Sequence, residues 1–226
     1  MLPFYEFKKQ VKLLEEEMES EIDNDLPETY IFTDGIMDIE KYYYSKVRIL
    51  WVLKEPYAHA DGTIDDYWHI KDTLAKLNGI KNIRMAYVSW AILNNISDWN
   101  KIPHTSDGRE VLLNALKSTG IINIKKAPGK SESLDKDISC AYDKNKDILH
   151  KQLENYNPNI VIFGNTIQYF SEYLKFDEYS KNNYHIYDNT LYIQSKHPSN
   201  IMNQDKQDEW GNNILNAVKN WSSKKI

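Results

Sequence analysis

Four short polar segments, each following an apolar run, hold the residue types suited to chemistry in this sequence. They are Lys54-Glu55-Pro56-Tyr57 after Val47–Leu53, Asn123-Ile124-Lys125-Lys126 after Ile121-Ile122, Gly164-Asn165-Thr166 after Ile160–Phe163, and Ser195-Lys196-His197-Pro198-Ser199 after Leu191–Ile193. Glu55 brings a carboxylate. His197 brings an imidazole, which when neutral donates a hydrogen bond to a developing negative charge. Asn123 offers both a donor and an acceptor, enough to read an imide-like edge. Lys54, Lys125, Lys126, Asn165 and Ser199 are types that hold phosphate oxygens.

These segments need elements to bring them together. Val47–Leu53 and Ile160–Phe163 read as buried strands; Pro56 ends the first because it has no N–H for the ladder. A short strand at 121–124 opens after Gly120. Ile186-Tyr187, a turn at Asp188-Asn189 and Leu191–Ile193 read as a hairpin. Phe4, Phe7, Val11, Leu14 and Met18 have helical spacing, so residues 4–20 read as an amphipathic helix. The stretch from there to about residue 46 reads as irregular. Further helices are expected over 66–78, 84–95 and 107–118. Ser106 caps the last of these, and Val111, Leu112, Ala115 and Leu116 face inward. Helices over 137–156, stopped by Asn157-Pro158, over about 167–175, and over 205–222 complete the outline. Short apolar strands alternating with helices predict a three-layer α/β/α fold around a central, mostly parallel, four-stranded sheet. The chain reads as one domain over 1–226, with the α/β core at about 47–222. In such sheets ligands bind beyond the carboxyl ends of the strands, where all four polar segments lie.

Composition narrows the function classes. One cysteine among 226 residues excludes an intrachain disulfide framework, a Cys-rich zinc site and a four-cysteine cluster. It also points to a reducing, cytoplasmic setting. The N-terminal segment is charged and lacks the apolar core of a signal peptide, and runs such as ILWVL are too short to cross a bilayer. No membrane partner is expected. A net charge of −5 gives no global attraction for nucleic acid. A local basic patch remains effective, because screening confines charge effects to roughly 10 Å.

In this order, the four segments resemble the uracil-DNA glycosylase superfamily. Leu53-Lys54-Glu55-Pro56-Tyr57 stands for its first motif, which varies around GQDPYH or GEAPG. Asn123 in IINIKKAPG stands for the strand-end asparagine, IVIFGNT for the third motif, and His197-Pro198-Ser199 for the last. The resemblance implies a monofunctional, monomeric enzyme that hydrolyses the N-glycosidic bond of uracil or another modified or damaged base in single- or double-stranded DNA. It implies no cofactor. Glu55 would orient water and offset positive charge on the sugar, and His197 would stabilise the leaving base. Asn123 would read that base. Tyr57 would line the pocket, and Trp68, or failing it Tyr67, would stack on the flipped base. Ile201 or Met202 would wedge into the duplex. Leu53 stands where the family has glycine, Lys54 replaces glutamine or glutamate, and Glu55 is one methylene longer than aspartate.

Two other readings come from the same residues. A non-catalytic module would hold a nucleotide or nucleic acid in the same pocket. A metal-dependent hydrolase would use His59, Asp61, Asp65 and His69 as N and O ligands, although their spacing fits no recognised motif. Cys140 has no obvious histidine partner for nucleophilic catalysis.

Overall fold

The computed structural model describes residues 2–23, 32–56, 68–69, 80–127, 134–175, 183–201 and 203–223. Helix α1 (Phe4–Asp23) buries Phe7, Val11, Leu14 and Met18, the stripe its 3-4 spacing dictates. The stretch expected to be irregular holds two short strands, β1 (Phe32–Thr33) and β2 (Gly35–Ile36), and helix α2 (Ile39–Tyr43). Such pieces are too short to show a periodicity.

Strand β3 (Ile49–Leu53) is followed by β4 (Trp68–His69) and by helices α3 (Ile80–Leu93) and α4 (Thr105–Lys117). Trp68 and His69 thus lie in a strand, paired in parallel with β1, where the sequence suggested a helix. The cap of α4 is His104, whose ring accepts from the Ser106 N–H, so the helix starts earlier than a Ser106 cap would allow. On α4, Leu112, Ala115 and Leu116 are buried, but Val111 is 47 % exposed: its position falls on the solvent side of the turn.

Strand β5 (Thr119–Asn123) leads to α5 (Asp135–Tyr156). Asn157 ends this helix in the left-handed conformation at φ 44°, just ahead of Pro158. Then follow β6 (Ile160–Gly164), a 3₁₀ turn over Ile167–Phe170, α6 (Ser171–Leu174), β7 (Tyr184–Tyr187), β8 (Thr190–Ser195) and α7 (Gln204–Ser222). Asp188 and Asn189, at φ 44° and 64°, make the β7–β8 turn with both central residues left-handed, the twist a two-residue hairpin requires.

The sheet has the order β2-β5-β3-β6-β8-β7. Its four inner strands are parallel, with Leu53 opposite Asn123 and Gly164 opposite Ser195. It is nonetheless a mixed six-stranded sheet, not the four-stranded one expected. β7 joins antiparallel because a two-residue turn permits nothing else, and β2 adds antiparallel on the other edge. All residues of β3, β5 and β6 are buried, because helices cover both faces. Alternate side chains divide between the layers. Ile49, Trp51 and Leu53 pack with α3, α4 and α7. Leu50, Val52 and Phe163 pack with α1, α5 and the 167–174 segment. Among the described residues, no helix is long and apolar enough to cross a membrane.

The chain passes from β3 to β5 over one face and from β5 to β6 over the other. The winding therefore reverses between β3 and β6, the point beyond whose carboxyl ends such sheets hold their ligand crevice.

Candidate active site

Backbone ladders bring the first two segments together. Beyond the strands, the Ile124 N–H donates to the Leu53 carbonyl and the Lys125 N–H to the Lys54 carbonyl, both at 2.9 Å. This extension places Lys125 beside Glu55, and their side chains form an ion pair at 2.9 Å. The Glu55 side chain is only 8 % exposed. Lys54 turns instead to Asp135, at 3.0 Å, on the first turn of α5.

The turn after β6 is tied to both neighbours. The Thr166 hydroxyl donates to the Val52 carbonyl at 2.8 Å, and the Asn165 N–H donates to the Ser195 carbonyl at 2.8 Å. Asn165 takes a left-handed φ of 60°. Asn165, exposed, lines a polar cleft of about 580 Å³ together with Lys196, Asn200 and Asn220 of α7. A Cβ on Gly164 would sit 2.9 Å from Leu53 Cδ2 and 3.4 Å from both Cα and Cδ2 of His197. Glycine here lets the imidazole lie directly over the end of β6.

His197 is itself firmly held. Ser199 closes on Nδ1 with its backbone N–H at 3.2 Å and its hydroxyl at 2.5 Å. Because Nδ1 accepts, the neutral ring carries its proton on Nε2. Nε2 has no hydrogen-bond partner among the described residues. Burial, reinforced by the charges of Lys81 and Lys54, lowers the imidazole from 6.5 to about 3, so the ring is neutral at pH 7. Its loop is clamped by Arg84 of α3, whose guanidinium donates to the carbonyls of Pro198 and Ile201, both at 2.7 Å, and to Gln207 Oε1 at 3.1 Å. From α7, the Trp210 indole N–H donates to Ser195 Oγ at 2.7 Å.

Asn123 and Lys126 occupy a different environment. Asp34, Asn123, Lys126 and Gln152 are all buried. Lys126 Nζ donates to both Asp34 oxygens, at 2.7 and 2.9 Å, and to Gln152 Oε1 at 2.8 Å. The Asn123 backbone N–H donates to Asp34 at 2.6 Å. The Asn123 side-chain amide reaches the same oxygen only at 3.4 Å, and its Oδ1 has no partner among the described residues. Thus Lys126 spends its charge inside the protein, whereas Lys54 and Lys125 stand at the crevice. Ile201, offered above as a wedge, is 5 % exposed and belongs to the core.

The structure therefore gathers Lys54, Glu55, Lys125, Asn165, His197 and Ser199 at the strand ends. Tyr57, Tyr67, His59, Asp61, Asp65 and Met202 lie outside the described residues, as does the side chain of Trp68. Among the described residues no three His, Cys, Asp or Glu side chains group to hold a metal, and Cys140 is exposed on α5. Sequence reasoning missed Arg84 and Lys81. Arg84 opens the helix expected over 84–95 and Lys81 falls before it; the observed helix starts at Ile80, and only the fold brings Arg84 to the His197 loop. The sequence matches no protein-family model and no curated protein.

Proposed function

We propose that this chain is a DNA glycosylase-like enzyme that hydrolyses the N-glycosidic bond of uracil or another modified base. The observation that carries this reading is the neutral imidazole of His197, held over the end of β6 with its Nε2–H unpartnered among the described residues. As the C1′–N bond breaks, negative charge grows on the base. A preorganised neutral donor stabilises that charge without losing its own proton. Glu55, at the end of the adjacent strand, supplies the carboxylate that offsets the sugar's positive charge and orients the attacking water. Lys54 and Lys125 meet the phosphates of the strand carrying the flipped nucleotide. The reaction so written uses only water. The order of the four motifs supports the same reading.

The test is base release from single- and double-stranded oligonucleotides carrying uracil, hypoxanthine or modified pyrimidines, followed by alkaline cleavage. Strand breaks that fall about 100-fold or more in His197→Ala are expected from the loss of such a donor. Absence of breaks with every substrate would sink the proposal.

A second reading, a non-catalytic nucleotide- or nucleic-acid-binding module, has its own observation in favour. Glu55 is already committed to Lys125 at 2.9 Å, and Asn123 is 1 % exposed. Calorimetric binding of nucleotides with no base release from any oligonucleotide is the outcome this reading requires.

A further inference from the structure

Lys81 takes no part in the scheme above, yet its position faces the same loop. Arg84, three residues later on α3, is bonded to the carbonyls of Pro198 and Ile201. Residues three apart share a helix face, so Lys81 stands one turn nearer the helix start on the face that meets the His197 loop. Its charge is felt at His197 together with that of Lys54. It is half-buried, and its ammonium has neither a hydrogen-bond acceptor nor a carboxylate among the described residues. Glu55 is held by Lys125 and Asp135 by Lys54. A lysine desolvated by burial is a setting in which an amine works as a nucleophile.

We infer that Lys81 is an amine nucleophile for the aldehyde carbon of an abasic deoxyribose, giving this site lyase activity. The inference rests on the DNA reading of the same site. The Nζ lone pair attacks C1′ of the ring-opened sugar, and the carbonyl oxygen takes up a proton to give a carbinolamine. Loss of water then leaves a protonated imine. The imine acidifies C2′, whose proton passes to water while the C3′–O bond breaks and the 3′-phosphate departs with its electrons. Hydrolysis of the imine returns the free amine. Burial supports this role by lowering the Lys81 ammonium from 10.5 to about 8. At pH 7.5 about a quarter of the amine is then neutral, against roughly 0.1 % for an ordinary lysine.

The experiment supplies the abasic site ready-made, so that base release is not needed. The full chain is incubated with an oligonucleotide containing a preformed abasic site in the presence of borohydride, which reduces an imine to a stable secondary amine. A covalent protein–DNA adduct is expected, with peptide mapping placing it on Lys81. Lys81→Met and Lys81→Arg should lower the yield at least tenfold while keeping the wild-type circular dichroism spectrum. Lys219→Met, at an exposed position on α7, should trap like wild type. No adduct, or an adduct that survives both Lys81 variants, overturns the inference. Trapping without base release from any substrate leaves it standing and removes the glycosylase reading. Base release without trapping does the reverse.

Discussion

At the scale of single residues, the state of His197 is what most distinguishes this site from an ordinary surface turn. A histidine in a loop normally gains a proton near pH 6.5, whereas here burial and two lysines lower it to about 3. The sign of the consequence follows from proton linkage. Above pH 6.5 the ring is neutral in both folded and unfolded chains and costs nothing. As pH falls from 6.5 toward 3, the unfolded chain binds the proton first, so stability drops across that window. The urea midpoint should therefore fall more steeply between pH 6.5 and 4 in the wild type than in His197→Asn. The His197 ring signals in NMR should also stay in the neutral position down to about pH 4.5. A ring that titrates near 6.5 would remove the argument for a neutral donor. The carboxylate, the imidazole and the lysines at the strand ends were legible from residue type and placement. The burial of Asn123 was not, because its environment is made by Asp34 and Gln152, far away in sequence.

Among the elements, α3 does more than fill the core. Its Arg84 holds two carbonyls of the 198–201 turn, and those groups are buried. Arg84→Met keeps the side-chain volume but leaves both carbonyls without that donor. With about 1–3 kcal/mol for each such group, a loss of about 2–6 kcal/mol is expected in urea unfolding. The loosened turn should also admit water to His197, raising its titration point toward 6.5 and cutting base release more than substrate affinity. An Arg84→Met protein with unchanged stability and an unchanged imidazole would show the clamp to be idle. Elements with a strong local signal were readable: the α1 stripe, the Asn157-Pro158 helix stop, the Asp188-Asn189 hairpin. Two-residue strands such as β2 and β4 carry no such signal, since their pairing is decided by tertiary neighbours rather than by local pattern. Sequence placed Trp68 in a helix for that reason.

For the whole molecule, the parallel centre of the sheet follows from continuous apolar strands, but the edge strands that make it mixed do not. Edge β2 is anchored through Asp34, the residue that precedes it and that accepts from Lys126, Gln152 and the Asn123 backbone. Removing one member of a buried ion pair leaves the other charge uncompensated. Asp34→Asn should therefore cost about 3–5 kcal/mol, read as a lowered urea midpoint at pH 7, whereas Asp34→Leu combined with Lys126→Met should recover much of it. Under the proposed function, the same pairing bears on how an acidic molecule would meet DNA. With a net charge of −5 and Lys126 engaged internally, the proposed DNA binding would draw on lysines at the strand ends. Lys54 and Lys125 are the two assigned to phosphates there, and the partner of Lys54 is an exposed aspartate that phosphate can displace at little cost. Each phosphate neutralised on duplex DNA contributes about −0.9 to the slope of log K against log salt, or about −0.7 on a single strand. Two contacts thus set a slope of about −1.8 for duplex and about −1.4 for single strands. Lys54→Gln should reduce it by about one unit, and Lys126→Met by none. A slope near zero would mean that the crevice binds a nucleotide and not a polymer; a slope beyond about −5 would place most of the contacts on a surface other than the strand ends.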